Sequence, residues 1–252
     1  CGSSMEAAGG DDGQGAALSH LKVGFIGAGK MAHGIAQGIL QSGRKDAALL
    51  RYSLYPLRTL CNFSIKACGI ETTNSNLTVV EKCQVLFLAT KPHLLPGVLE
   101  QISCAVADSH LVISVAAGVT LQTLQELLPP DTAVLRTMPN LPCVVQEGAM
   151  VFSRGEHAGD HDAAVLKSLM SACGLCEEVP ESYIDVHTGL SGSGVAYVYM
   201  FAEALSEGAV KMGMPVSLAS KIAAQTLLVS NSGPSMWPEV SDYVIDGSAD
   251  WQ

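Results

Sequence analysis

Short apolar runs alternate with amphipathic stretches along most of the chain. Strands are predicted at 21–26, 48–54, 84–90, 111–116, 133–138 and 149–153. Helices are predicted from Met31 to a stop at Gly43 and at 57–67, 77–82, 94–102 and 121–128. Continuous apolar strands that alternate with helices suit a parallel sheet buried on both faces. The pattern therefore predicts an α/β fold with a Rossmann-type doubly wound sheet.

The pattern becomes mainly helical after Gly159. Helices are predicted at 162–173, 182–187, 195–212 and 217–228, with one more short strand at 177–179. The run Ser191-Gly192-Ser193-Gly194 precedes the longest helix and is predicted to cap its N-terminus. We expect four segments: a disordered tail at 1–20, the Rossmann domain at 21–180, a partial all-α domain at 181–230 and a divergent tail at 231–252.

A glycine-rich turn follows the first predicted strand. Gly27-x-Gly29-x-x-Ala32 stands between that strand and the next helix, which is the context that the dinucleotide-binding fingerprint requires. The first glycine permits the tight turn, the second lets the backbone approach a pyrophosphate, and Ala32 allows close helix packing. The free N–H groups at the start of the helix would face the phosphates. The turn therefore predicts a bound dinucleotide.

The end of the second strand indicates which dinucleotide is used. Proteins that prefer NAD place an acidic residue there, ~20 residues after the turn, to hold the ribose hydroxyls. Residues 52–58 read YSLYPLR and include no Asp or Glu. Ser53 and Arg58 could instead accept a 2′-phosphate, although Arg58 could equally be an ordinary surface arginine. The sequence favours NADPH and leaves NADH open as the alternative.

Two further loops are predicted to flank the nicotinamide. Thr90-Lys91-Pro92 follows one strand, and residues 115–118 follow the next. Ligands of doubly wound sheets lie against the carboxyl ends of the strands, at the point where the strand order reverses. Small residues at 116–118 leave room for a flat ring. Ordinary turn chemistry would also account for Pro92 and Gly118.

Charge and composition argue against several classes of function. The formal net charge is −10, from 24 acidic and 14 basic residues, so we expect no nucleic-acid partner. No apolar run is long enough to cross a bilayer, so we expect no membrane partner. Residues 1–20 have neither the basic start and apolar run of a secretory signal nor the arginines of a mitochondrial leader. A cytoplasmic location is therefore predicted.

The eight cysteines are scattered, and one pair has a spacing typical of redox or zinc sites. Cys173 and Cys176 form a C-x-x-C sequence, but a zinc site needs a second ligand pair at comparable spacing. No such pair is present, so no metal is expected. We interpret Cys173 as the end of a helix, Gly174 as its cap and Cys176 as the start of a strand.

Six longer motifs are spread over most of the chain. They are VGFIGAGKMA at 23–32, FLATKPH at 87–93, SVAAGVTL at 114–121, RTMPNLPCVVQEGA at 136–149, HTGLSGSGVAYVY at 187–199 and EGAVKMGMP at 207–215. Together they resemble the pyrroline-5-carboxylate reductases, most of all their vertebrate cytosolic form, over residues 23–228. The resemblance implies reduction of 1-pyrroline-5-carboxylate, a small imino acid, to L-proline by NAD(P)H in the last step of proline biosynthesis. It also implies a homo-oligomer whose dimer interlocks through the helical domain.

The same resemblance assigns site residues by position. It implies cofactor contacts at Ile26, Gly27, Ala28, Gly29, Lys30, Met31, Ala32, Ser53, Asn76, Ala89, Thr90, Lys91, Pro92, Val115, Ala116 and Ala117. It places Glu181 near the substrate, where its negative charge is hypothesised to favour the protonated imine. No catalytic side chain is assigned, because the cofactor supplies the hydride and no nucleophile is required.

The family continues beyond Leu228 with further helices and a Pro-Gly-Gly-Thr loop that holds the substrate carboxylate. Residues 231–252 show no helical period and contain neither feature. One alternative is therefore a catalytically silent, truncated isoform that binds NADPH but lacks the substrate loop. A second alternative is a β-hydroxyacid dehydrogenase, which would require a catalytic lysine where this chain has residues 191–195.

Overall fold

The computed structural model describes residues 20–43, 46–54 and 69–230. Within these ranges, eight strands form one sheet in the order β3-β2-β1-β4-β5-β6-β7-β8. The strands are β1 (Val23–Ile26), β2 (Leu50–Ser53), β3 (Glu71–Thr73), β4 (Val85–Leu88), β5 (Leu111–Ser114), β6 (Ala133–Pro139), β7 (Gly148–Arg154) and β8 (Gly174–Glu178). The strand order reverses between β1 and β4, which confirms the predicted doubly wound α/β class.

Helices cover the sheet and continue beyond it. They are α1 (Lys30–Gln41), α2 (Asn76–Lys82), α3 (Leu95–Ile102), α4 (Leu121–Leu127), α5 (Asp160–Met170), α6 (Ser182–His187), α7 (Gly194–Lys211) and α8 (Val216–Ser230). Most begin and end within two or three residues of the predicted positions. The helix predicted at 57–67 lies outside the described residues, as do the two predicted tails apart from His20.

The hydrophobic core lies on both faces of the sheet, as continuous apolar strands require. On one face, the Phe25 ring stacks between Tyr52 and Phe87, with centroid distances of 4.7 and 4.9 Å. The other face packs Leu86 and Val112 against α3 and α4. These two layers fix the carboxyl ends of the central strands, where the predicted cofactor loops begin.

Two strands, β7 and β8, run against the predicted parallel direction. β7 pairs antiparallel with β6, with Thr137 opposite Phe152, whereas the other strand pairs among the described residues are parallel. Residues 140–147, which join the two strands, include a short 3-10 turn at Leu141–Val145. Such a connection is too short for the crossover that a parallel neighbour needs, so the chain turns directly back.

Three local features also differ from the predictions. β3 was not predicted, since its three residues Glu71–Thr73 are polar and lie at the edge of the sheet. Residues Ala47–Leu49 form a 3-10 turn instead of the first part of a strand. The predicted serine cap before α7 is wrong: residues Thr188–Gly192 form a π-helical turn, and the Ser193 N–H donates to the Thr188 carbonyl at 2.9 Å.

The chain divides into two compact units, one up to Ser193 and one from Gly194 onward. The second unit contains α7 and α8, whose Ser206 and Ser220 hydroxyls lie 3.2 Å apart. Gly213 turns the chain between them with a φ of +99°. The domain boundary predicted between residues 180 and 181 stays a prediction.

The C-x-x-C sequence is part of a packed region. Cys173 lies just beyond α5, Gly174 has a φ of +127°, and Cys176 lies within β8. Burial raises the pKa of the Cys173 and Cys176 thiols to about 12, so both stay protonated near neutral pH. Among the described residues, no group of three or more His, Cys, Asp or Glu side chains is arranged to hold a metal ion. No described helix has the length and apolar character that a membrane crossing requires.

Candidate functional site

The turn after β1 brings its backbone against the end of β4. Gly27 has a φ of +104°, and its N–H donates to the Ser53 carbonyl at 3.3 Å. A Cβ on Gly27 would lie 2.6 Å from the carbonyl oxygen of Ala89. Both the dihedral angle and the close approach require glycine here. The neighbouring Ile26 and Ala28 are buried, so the turn is fixed in place.

Gly29 differs from Gly27 because it faces open space. No heavy atom lies within 4 Å of the position that a Cβ on Gly29 would occupy, and its φ of −78° suits any residue. Gly29 is the N-cap of α1, whose first turn carries no acidic side chain. Among the described residues, the N–H groups of Lys30, Met31 and Ala32 have no hydrogen-bond acceptor. This helix start has the geometry that binds anions.

Ser53 and Asn76 come together beneath the end of β2. Ser53 Oγ donates to Asn76 Oδ1 at 2.5 Å, and Asn76 Nδ2 donates to Gln101 Oε1 at 2.9 Å. Both side chains are fully buried. These contacts order the carboxyl end of β2, while their predicted contact with the adenosine stays a prediction. Arg58, the other candidate for a 2′-phosphate, lies outside the described residues.

The loops after β4 and β5 leave the same edge of the sheet as the glycine turn. The Ala89 N–H donates to the Ile26 carbonyl at 2.8 Å, and the Val115 N–H donates to the Leu88 carbonyl at 3.2 Å. Thr90 Oγ1 is buried, and no described group hydrogen-bonds to it. A buried hydroxyl without a partner is uncommon and suits a site that a polar ligand completes.

The rest of these two loops is partly open. Lys91, Pro92 and Ala117 are exposed, whereas Ala116 is buried beside Ser114. The Ala116 N–H donates to Ser114 Oγ at 3.3 Å. The structure therefore brings together the glycine turn and the two predicted nicotinamide loops at one edge. Whether each residue contacts a cofactor stays a prediction.

Glu181 lies just before α6 and has two partners. Its Oε1 accepts from Arg136 Nη1 at 2.9 Å and from the Leu121 N–H at 2.7 Å. The side chain is 34% exposed, whereas that of Arg136 is 3% exposed. Arg136 thus compensates the charge of Glu181, which weakens the effect that this carboxylate could exert on a cationic imine. The predicted place of Glu181 near the substrate stays a prediction.

Sequence reasoning named no role for Arg136. The residue occupies the middle of the buried β6, and its Nη2 also donates to Asp185 Oδ1 at 2.8 Å. A charged residue within the apolar run 133–138 was the available signal, because arginine is almost never buried without partners. The sequence could not identify those partners, which lie 45 and 49 residues further along the chain.

Asn140 is a second residue to which the sequence assigned no role. Its Oδ1 accepts from the Ala149 N–H at 2.9 Å, and its Nδ2 donates to Ser191 Oγ at 2.8 Å. The side chain therefore joins the end of β6 to β7 and to the π-helical turn. Ser191, predicted as a cap, instead accepts this hydrogen bond.

Comparisons with known proteins cover most of the chain. A family model described as pyrroline-5-carboxylate reductase dimerisation matches residues 181–233, and one described as NADP oxidoreductase coenzyme F420-dependent matches residues 22–118. The chain is 58% identical over 207 residues to pyrroline-5-carboxylate reductase 3 of Bos taurus, covering 82% of this chain and 67% of that protein. It is also 58% identical to the reductase 3 of Xenopus laevis, covering 82% of this chain and 75% of that protein.

A solved structure shows the same architecture. The Plasmodium falciparum pyrroline carboxylate reductase with NADP bound is 26% identical, covers 91% of each chain and aligns with a TM-score of 0.75.

Proposed function

This chain belongs to the pyrroline-5-carboxylate reductase family, and from this premise we propose that it reduces 1-pyrroline-5-carboxylate to L-proline with NADPH. The enzyme is an oxidoreductase that acts on a cyclic imine, in the last step of proline biosynthesis. One structural observation carries the proposal: the Gly27 turn packs against Ala89 while Gly29 opens onto free space at the start of α1.

The chain offers a cradle for the cofactor. The unpaired N–H groups at the start of α1 would bind the pyrophosphate, and α1 places its positive end there. The absence of an acidic residue at 52–54 suits NADPH, and a relative at 26% identity was solved with NADP bound. NADH is the second donor to compare in the assay.

The loops after β4 and β5 would flank the nicotinamide. Thr90 Oγ1 supplies a buried hydroxyl that a polar cofactor group could pair, and Ala116 and Ala117 leave space for a ring. Bound NADPH supplies the hydride. The residues of the chain would orient the two reactants, and such positioning lowers the barrier to the transfer. Glu181 enters the proposal as the residue on the substrate side.

We propose that two copies of the chain assemble through the helices that follow Glu181. In α7, the side chains of Tyr199, Met200 and Phe201 are 71, 66 and 56% exposed. Contiguous exposed apolar residues of this size mark protein interfaces. The match to a dimerisation model at 181–233 supports the same assignment.

We also propose a cytoplasmic location. Support comes from the cysteines: Cys83, Cys143 and Cys173 are buried free thiols, as expected of a protein in a reducing compartment.

The decisive experiment measures NADPH oxidation by the purified chain with and without 1-pyrroline-5-carboxylate, and quantifies proline by mass spectrometry. We expect proline to form in equal amount to the NADPH consumed. Binding of NADPH without imine-dependent turnover would instead identify the silent isoform, and turnover of a β-hydroxyacid would identify the dehydrogenase alternative.

A further inference from the structure

Arg136 is a buried cation in the middle of β6. It lies directly opposite Ser114 in the pairing of β5 and β6, and its residue exposure is 2%. Ser114 is the last residue of β5, and the loop 115–120 begins immediately after it. Arg136 therefore flanks the first end of this loop.

Glu181 holds the other end of the same loop. Leu121, the first residue of α4, donates its N–H to Glu181 Oε1 at 2.7 Å. The same oxygen accepts from Arg136 Nη1 at 2.9 Å. The pairing of β5 with β6 therefore fixes the first end of residues 115–120 beside Arg136, and the Arg136 guanidinium holds Glu181, which binds the other end.

The pair is held firmly for two reasons. Arg136 has a second carboxylate partner, Asp185 on α6, so its charge is balanced from the same segment of chain. Charge-assisted hydrogen bonds of this kind are stronger than neutral ones. Loss of one carboxylate would leave the buried guanidinium charge of Arg136 incompletely paired and without access to water. Asp185 stabilises Arg136 less than Glu181 does, because its side chain is exposed. Of these two carboxylates, it is Glu181 that hydrogen-bonds to the end of the loop.

We propose that Arg136 and Glu181 are positioning residues that hold the loop 115–120 against the nicotinamide end of the cofactor. The inference rests on the proposed function, which places Val115, Ala116 and Ala117 at that end. It gives Glu181 a role through the loop, independent of any direct effect on the imine. The pair should therefore affect binding of the nicotinamide half of NADPH and not of the adenosine half.

The test compares two probes by calorimetry: NADPH and 2′-phospho-ADP-ribose, which lacks the nicotinamide. Glu181→Ala removes the acceptor at the loop end, and we expect it to weaken NADPH binding about tenfold, the usual effect of one lost charge-assisted hydrogen bond. It should leave the affinity for 2′-phospho-ADP-ribose unchanged. Glu181→Gln keeps an acceptor for the Leu121 N–H and should restore most of the NADPH affinity.

Glu178→Ala is the matched control. The side chain of Glu178 is 33% exposed and pairs with Arg154 at 2.6 Å, and among the described residues it forms no hydrogen bond or ion pair with the loop 115–120. Both affinities should equal those of the unmodified chain. Should Glu181→Ala fail to fold, Arg136→Lys is the second variant, because lysine keeps the charge but cannot hold both carboxylates in a fixed fork.

The possible results separate clearly. Selective weakening of NADPH supports the positioning role. Equal weakening of the binding of both probes overturns it, because the pair would then stabilise the fold in general. Unchanged binding of both probes also overturns it, because the pair would then have no effect on the loop. If the unmodified chain binds neither probe, the proposed function itself is wrong and the inference falls with it.

Discussion

The Cβ that Gly27 lacks would lie 2.6 Å from the carbonyl oxygen of Ala89. This approach joins the turn after β1 to the loop after β4 at the point where the strand order reverses. Gly29, two residues further on, has open space in front of it. The two glycines of one motif therefore serve different purposes, and substitutions should separate them.

Gly27→Ala should destabilise the folded chain. Alanine is strained at a φ of +104°, and its methyl group would clash with the backbone of Ala89. We expect a loss of about 2 kcal/mol or more in the free energy of unfolding, the usual cost of such strain. Urea denaturation measures this value. Gly97→Ala, in an open position on α3, is the control and should cause no loss of stability. If Gly27→Ala were as stable as the unmodified chain, the close packing of Gly27 against Ala89 would be contradicted.

Gly29→Val should cost about 1 kcal/mol of stability or less, because valine is a poorer helix N-cap than glycine, and should greatly weaken cofactor binding. Valine readily adopts a φ of −78°. Apart from the adjacent residues, no heavy atom of the described chain lies within 4 Å of the position that its Cβ would occupy. The added side chain would occupy the space proposed for the pyrophosphate. Calorimetry with NADPH should show a loss of affinity of about 100-fold or more, since the phosphates could no longer approach the backbone. Gly97→Val adds the same volume elsewhere, and undiminished binding by Gly29→Val would place the pyrophosphate at another position.

Stability should fall in mildly acidic solution because of His187. Burial lowers the pKa of His187 below its ordinary value of 6.5, against the opposing effect of the Met138 and Ala149 carbonyls. Its Nε2 is buried, and no described group pairs with it. Below about pH 6.5 the unfolded chain therefore binds more protons than the folded chain, so the free energy of unfolding decreases as the pH falls toward the lowered pKa.

His187→Asn should reduce this dependence. Urea denaturation at about pH 7.5 and pH 5.5 measures the difference for each variant. His93, whose side chain is exposed, provides the matched control as His93→Asn. An identical pH dependence in the unmodified chain and in His187→Asn would show that other groups account for the acid sensitivity.

Phe201→Asp should prevent assembly of the proposed dimer. Phe201 is 56% exposed on α7, and a carboxylate there could not be buried against a second copy without a large cost. Analytical ultracentrifugation should show a monomer where the unmodified chain forms a dimer. Leu175→Asp changes a side chain that is 61% exposed on β8, outside the dimerisation match, and should remain dimeric. A monomeric unmodified chain would contradict the proposed assembly.

Local sequence signals explain which parts of the fold could be predicted. The apolar run at 85–88 and the glycine turn after β1 each depend on contacts within a few residues or on the general preference for burial. The polar edge strand β3 could not be found in this way, because only its pairing with β2 makes it a strand. The direction of β7 was also missed, since it depends on how tightly residues 140–147 turn.

Local sequence patterns were sufficient to predict most of the strands and helices in their order, the glycine turn before α1 and the family of the chain. These features follow from periodic burial and from backbone conformations that only certain residues adopt. The pairing of Arg136 with Glu181, and of Ser53 with Asn76 below the end of β2, became visible only once the chain was folded in three dimensions. Such pairs join residues far apart in the chain, and charge and hydrogen-bonding capacity alone do not specify which partner each buried group finds.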